Sequence, residues 1–203
     1  MLKVGITGGI GSGKSIVCDL FTLMGIPVFN SDLVARKLLT TDPRILGGIV
    51  SLFGTDVLQA DGSPDRKKIG ALVFADKAAL DALNGLVHPA VFLAFYDWAD
   101  GLGAGIPYCI KEAAIMFESG SAKQNDVNVL VFSDLETRIG RVTRRDGFSR
   151  EQVLSRISQQ MSETEKLKLA DEVIYNDREH SLIEQVMELD KIFRNFKRNV
   201  LNS

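Results

Sequence analysis

Residues 8–15 read Gly-Gly-Ile-Gly-Ser-Gly-Lys-Ser, directly behind the apolar run Leu2–Ile6 and directly ahead of a segment of helical period. No other stretch constrains the fold as strongly. Glycines permit positive φ, so successive backbone N–H groups can point the same way and form a nest for an anion. The following helix adds the positive end of its dipole. The spacing satisfies G-x-x-x-x-G-K-[ST] in its required strand–loop–helix setting. A plain glycine turn accounts for one or two of these residues, but not for the full spacing with its Lys-Ser pair. Gly8, Gly9, Ile10, Gly11, Ser12, Gly13, Lys14, Ser15 and Ile16 are therefore expected to hold a nucleoside triphosphate, ATP. Lys14 would reach its β- and γ-phosphates, and the Ser15 hydroxyl would sit on Mg²⁺.

Strand and helix signals alternate along much of the chain. Leu2–Ile6, Pro27–Asn30, Tyr108–Ile110, Val127–Phe132 and Glu172–Tyr175 read as strands. Helical period predicts Lys14–Met24, with Val17, Leu20, Phe21 and Met24 on one face and Gly25 as its stop. It also predicts Asp32–Leu39, Glu136–Arg145, Arg150–Met161 and Ser181–Arg198. Ser149–Gln152 and Ser162–Glu165 have the form of capping boxes. Such alternation implies an α/β fold with a mainly parallel sheet covered on both faces. From Asp42 to Gly105 the rhythm changes: Pro43–Phe53, Arg66–Phe74, Lys77–Leu86 and Ala90–Leu102 read as helices, with a turn at Asp61-Gly62. The chain thus divides into a nucleotide-binding core (1–41, 106–135 and 171–203), a helical insertion (42–105) and a segment of further helices (136–170). Lys191, Arg194, Lys197 and Arg198 read as the wet face of the last helix, with Ile192 and Phe196 on its dry side.

Bulk properties exclude several classes. With 203 residues and a formal net charge of −2, the chain has room for a sizeable core and lacks the basic field of a dedicated nucleic-acid binder. Cys18 and Cys109 belong to no CxxC pair, and no targeting pattern or membrane-spanning run is evident. The expectation is a cytoplasmic protein with no nucleic-acid, membrane or obligate protein partner.

The use of the triphosphate is a separate question. A switch GTPase should carry N-K-x-D, and the nearest text is Asn176-Asp177-Arg178-Glu179. A motor-type ATPase usually ends a hydrophobic strand in Asp, whereas Ile106–Ile110 runs into Lys111-Glu112. A small-molecule kinase needs only a base near the acceptor and cations over the migrating phosphoryl group. Asp32, just past the second strand, is either that base or a helix cap. Glu112 either binds Mg²⁺ through water or is a solvated helix start. Arg138, Arg141 and Arg145 fall on one helical face, a pattern that usually means a solvated surface but that also suits a lid closing over phosphates. His88-Pro89, between two expected helices, is either a turn element or a catalytic residue.

These residues together resemble the dephospho-coenzyme A kinase family. The likeness begins at the glycine loop and NSDLVARKL, and continues through FGTDVLQADGSPDRKKIGALVF, LNGLVHPAV and IKEAAIMFESG. It ends in RVTRRDGFSREQVLSRISQQMSETEKLKLADEVIYND, so it spans nearly the whole chain. It implies a P-loop three-layer sandwich with five parallel strands in the order 2-3-1-4-5, a helical CoA-binding insertion and a helical lid. The implied reaction moves the ATP γ-phosphate to the ribose 3′-hydroxyl of dephospho-CoA. The within-class alternative is another P-loop nucleoside or nucleotide kinase; the alternative from another class is a nucleotide-dependent switch protein. Carried over by position, Asp32 becomes the base and Lys14, Arg141 and Arg145 the phosphate-directed cations. Arg36 and His88 join Asp32 at the acceptor, while Gln160, Lys166 and Asn176 belong to the matched tail without assigned roles. The chain departs from the family in three places. Ile16 stands where a second hydroxyl residue is common, Ala114 where D-x-P-L-L-F-E has proline, and Asn30 where an acid is frequent.

Overall fold

The computed structural model describes residues 1–196, which form two compact units. The first comprises Met1–Asn30 and the chain from Leu102 onward. In it β1 (Leu2–Thr7), β2 (Val28–Asn30), β3 (Tyr108–Glu112), β4 (Val127–Phe132) and β5 (Glu172–Tyr175) make one parallel sheet of order β2-β3-β1-β4-β5. This is the order expected from the resemblance. Ile6 lies opposite Glu112, Asn30 opposite Glu112, and Phe132 opposite Tyr175, so the strands end together at one carboxyl edge.

Side chains alternate across each strand. Leu2, Val4 and Ile6 join Tyr108, Ile110, Val127, Val129, Val131 and Ile174 on one sheet face. There they pack against Val17, Cys18 and Phe21 of α1 (Lys14–Leu23) and Val186, Leu189 and Phe193 of α9 (Leu182–Arg194). The Tyr108 ring meets Phe21 and Phe193 edge-on, and its hydroxyl donates to Asp190 at 2.6 Å. On the other face a Cβ at Gly5 would run into Asn125 and Met116, so the segment after β3 lies directly on the central strand. Gly25, at φ +81°, ends α1: its N–H donates to Thr22 and that of Ile26 to Phe21, the paired bonds of a Schellman stop.

The last helix corrects one expectation. Val186, Leu189, Asp190 and Phe193, at i, i+3, i+4 and i+7, form its dry face, while Ile192 and Phe196 are exposed. Lys197 and Arg198 lie outside the described residues. The first unit also holds α6 (Leu135–Asp146), α7 (Arg150–Ile157) and α8 (Glu163–Leu169), and both capping boxes are present. Helix α7 stops four residues before Met161. Gln160 and the Met161 N–H turn instead to Ile10 and Glu118.

The second unit, Ser31–Gly101, is helical: α2 (Ser31–Thr41), α3 (Pro43–Phe53), α4 (Arg66–Ala75) and α5 (Lys77–Asp100). Helix α2 packs against α5 and α3, and so groups with this unit rather than with the sheet. The two helices expected on either side of His88-Pro89 are one continuous α5. An interior proline costs about 3 kcal/mol. The buried stripe Val87, Val91, Phe95 and Ala99 outweighs this, and the carbonyl facing the ring is that of Gly85. By length and a mean hydropathy of 1.4, α5 would also pass for a membrane-crossing helix, contrary to the expectation that no run is long enough. Its packing against α2, α3 and α4 is that of the central helix of a bundle.

Candidate active site

The carboxyl edge of the sheet, where open parallel sheets place their ligands, carries the glycine loop and Glu112. The loop after β1 has Gly8, Gly11 and Gly13 at φ +158°, +80° and +94°. Gly13 occupies the left-handed region as the N-cap of α1, a conformation that few other residues adopt without strain. It delivers Lys14 and Ser15 as the first residues of the helix, where backbone N–H groups lack intrahelical partners. The Ile10 N–H donates to Gln160 Oε1 at 2.9 Å, which ties the loop to the turn after α7.

Strand β3 extends two residues beyond expectation, so Glu112 is its last residue and 6% exposed, not a solvated helix start. Its Oε1 lies 3.5 Å from Ser15 Oγ, and its Oε2 accepts from Asn30 Nδ2 at 2.6 Å. A hydroxyl and a carboxylate side by side are hard oxygen donors of the kind Mg²⁺ takes when phosphates supply the rest. Among the described residues no cluster of three His, Cys, Asp or Glu side chains could hold a metal by itself. Lys111, one residue earlier, points to the opposite sheet face and donates to Gln124 Oε1 at 2.5 Å. Burial pulls its ammonium down to about 8. Burial also raises both thiols, Cys109 to about 11.

The arginine stripe of α6 runs from interior to surface. Arg138 is buried and pairs with Glu163 at 2.9 Å. Lys166, fully buried, lies 3.2 Å from Glu118 and 3.8 Å from Glu163, completing a four-residue charge network beside Gly9. Arg141 directs its guanidinium to the carbonyls of Gly11 and Ser12 and to Asn176. Arg145 is exposed and pairs with its neighbour Asp146 at 2.8 Å. The structure thus brings Arg141 to the loop, on carbonyl oxygens, and holds Arg145 on the outer end of α6. Nothing in the residue pattern signals the buried network, because charges at helical spacing look alike whether wet or dry. Asn176 and Gln160 were visible only as members of a matched tail.

In the helical unit Asp32 falls within the first turn of α2, which begins at Ser31, rather than at a cap. Arg36 follows one helical turn later, on the same side. His88 is half-buried on α5, next to Pro89. Pro89, Leu86, Leu93 and Ile45 line an apolar cleft of about 180 Å³ between α3 and α5, with Arg44 among its walls.

A glycine nest opening a helix at the carboxyl edge of a 2-3-1-4-5 parallel sheet defines a P-loop nucleotide-binding protein. A family model for dephospho-CoA kinase matches residues 2–181. The chain belongs to the dephospho-CoA kinase family. It is 40% identical over 188 residues to the dephospho-CoA kinase of Bacteroides fragilis strain YCH46, covering 93% of this chain and 91% of that one. It is 44% identical over 179 residues to that of Chlorobium luteolum, covering 86% and 82%. A crystal structure from Thermus thermophilus superposes with a TM-score of 0.83 at 34% identity, over 94% of this chain and 96% of that one. Dephospho-CoA kinase from Campylobacter jejuni shares the fold, with a TM-score of 0.69 at 24% identity over 95% and 96%.

Proposed function

We propose that the chain transfers the γ-phosphoryl group of ATP to the ribose 3′-hydroxyl of dephospho-CoA, giving coenzyme A and ADP, the last step of coenzyme A biosynthesis. The observation that carries this is the complete phosphate loop set at the carboxyl edge of the sheet, within a chain matched to the family almost end to end. The N–H groups of Gly11, Gly13, Lys14 and Ser15 are placed to cradle the β- and γ-phosphates, while that of Ser12 closes the loop on the Gly9 carbonyl, and Lys14 balances charge that builds on the bridging oxygen. Ser15 and, through water, Glu112 would hold Mg²⁺, which would supply positive charge against the triphosphate. Asn30 steadies the Glu112 carboxylate from the side away from Ser15.

Asp32 takes the proton of the attacking hydroxyl. It follows the carboxyl end of β2 by two residues, in the first turn of α2. The helical unit receives the acceptor, with Arg36 of α2 and His88 of α5 as its polar contacts; the apolar cleft between α3 and α5 supports this role. Arg145 serves as the lid arginine. Its exposed pairing with Asp146 is cheap to exchange for a phosphate. The two buried free thiols suit a cytoplasmic enzyme.

The test is ADP release by purified protein with MgATP, with and without dephospho-CoA, and the mass of the product. Acceptor-dependent release and a product heavier by one phosphate are expected. Release indifferent to dephospho-CoA would overturn the acceptor assignment.

A further inference from the structure

The back of the phosphate loop is as closely built as its front. Arg141 Nη1 shares its hydrogens among the Gly11 carbonyl at 3.3 Å, the Ser12 carbonyl at 3.2 Å and Ser133 Oγ at 3.3 Å. Its Nη2 donates to the Asn176 carbonyl and to Asn176 Oδ1, both at 3.1 Å. Asn176 Nδ2 in turn donates to the Ser12 carbonyl at 2.7 Å. Asn176 is 5% exposed, and its own N–H is fixed by the Phe132 carbonyl at 2.8 Å, at the end of β4. Chemistry leaves one orientation for its amide: the oxygen must face the donor-only guanidinium, and the nitrogen the acceptor-only carbonyl.

From this geometry we infer that Arg141 and Asn176 are positioning residues for nucleotide binding, holding the phosphate loop by its carbonyl side. The inference rests on the loop being the nucleotide site proposed above. A peptide unit is planar and trans, so its C=O and N–H point opposite ways. With the Ser12 carbonyl held outward by two donors, the Gly13 N–H is turned inward, toward the place of the phosphates. A nest that turns N–H groups in leaves carbonyl oxygens out, and these are buried against α6 and the end of β5. Buried carbonyls require donors. Arg141 and Asn176 supply them, and Asn176 also occupies the space a Cβ on residue 13 would need. The guanidinium at position 141 therefore acts through the loop and not on the transferring phosphoryl group.

The experiment compares wild type with Asn176→Asp, Arg141→Lys and the double variant. Three readouts are taken: MgADP dissociation constants by calorimetry without acceptor, the Gly13 amide resonance in nucleotide-free protein, and kcat and KM with dephospho-CoA. Asn176→Asp keeps the shape and the acceptor for Arg141, but sets an oxygen against the Ser12 carbonyl. A weakening of MgADP binding by about tenfold or more is expected for each single variant. The Gly13 resonance is expected to move, the dephospho-CoA KM to hold, and the double variant to bind little worse than the poorer single one. If Asn176→Asp does not fold, Arg141→Lys, whose single ammonium cannot span the five acceptor atoms that the planar guanidinium reaches, carries the same test. Wild-type MgADP affinity and an unmoved Gly13 resonance in a folded variant would overturn the inference. So would Arg141→Lys losing kcat with MgADP affinity intact, which would put the side chain on the phosphoryl group. An acceptor other than dephospho-CoA would leave the MgADP titrations unchanged, so failure of the function and failure of this role are separable.

Discussion

The sheet unit and the helical unit use their polar side chains in different ways. In the first they reach across the sequence: Gln160 to Ile10, Arg141 to Gly11, Asn176 to Ser12, Glu118 to Met161 and Tyr108 to Asp190. In the second they act mostly on their neighbours. Asp42, Asp65 and Asp76 each cap the helix that follows, and Asp61 closes its own turn. Both units expose some apolar side chains, Leu72 and Phe74 in the helical one and Leu23 and Ile183 in the other, but the sheet unit also packs a continuous apolar layer under α1 and α9. A shape that must match a phosphate chain is over-determined by long-range bonds. A surface held by caps and one apolar stripe can adjust to what it receives.

That contrast can be broken or sharpened by substitution. The largest effects should be catalytic. Lys14→Ala is expected to lower kcat by about 10²- to 10³-fold and to weaken ATP binding as well. Asp32→Asn should lower kcat by about 10²- to 10⁴-fold with MgADP affinity unchanged. Near-normal turnover in a folded Asp32→Asn protein would remove Asp32 as the base and with it the catalytic share of the helical unit. Next comes Lys166→Met. Removing the cation leaves Glu163 with Arg138 alone and takes from Glu118 its ion-pair partner, and a loss of about 3–5 kcal/mol in urea unfolding is expected. A loss under 1 kcal/mol would mean that the network is not as dry as its geometry.

Lys111 offers a smaller effect with a definite sign. Burial lowers its pKa in the folded state to about 8, below the unfolded value. Between about 8 and the ordinary lysine range near 10.4, the unfolded chain binds more protons than the folded one, so stability rises with pH. Below 8 both states are protonated and the full burial penalty remains. Urea midpoints of wild type and Lys111→Met should therefore converge between pH 7.5 and about 10; a gap constant with pH would deny the shift. The smallest effect is expected from Phe74→Ser in the helical unit. At 66% exposure Phe74 should change stability by within about 0.5 kcal/mol. A larger loss would show that this surface is covered in solution.

Much of this was legible in the chain. The loop, the five strands, both capping boxes and the strand order follow from spacing, period and a family likeness, because each depends on local chemistry or on a long matched pattern. What escaped depends on burial. Arg138, Arg141 and Arg145 are equivalent by helical spacing, yet one is interior, one binds loop carbonyls and one is wet. Pro89 looked like a helix break because local preference takes no account of the stripe that carries α5 through it. The dry face of α9 was displaced because Asp190, a charged residue, sits in the middle of it under Tyr108 and Arg194. Asn30, a departure from the family pattern, found its meaning only once β3 was seen to reach Glu112.

The last two residues of β3 carry opposite charges on opposite faces, an anion toward Ser15 and a cation toward Gln124. Neighbouring strand residues swap faces when the register shifts by a single step. The alignment of Leu2 with Tyr108 and of Val28 with Ile110 therefore decides more than packing. Slid by one position, the same strand would offer an ammonium beside Ser15, where the proposed Mg²⁺ site calls for an anion. The polarity of this catalytic edge is written in the hydrogen-bond ladder of a five-residue strand.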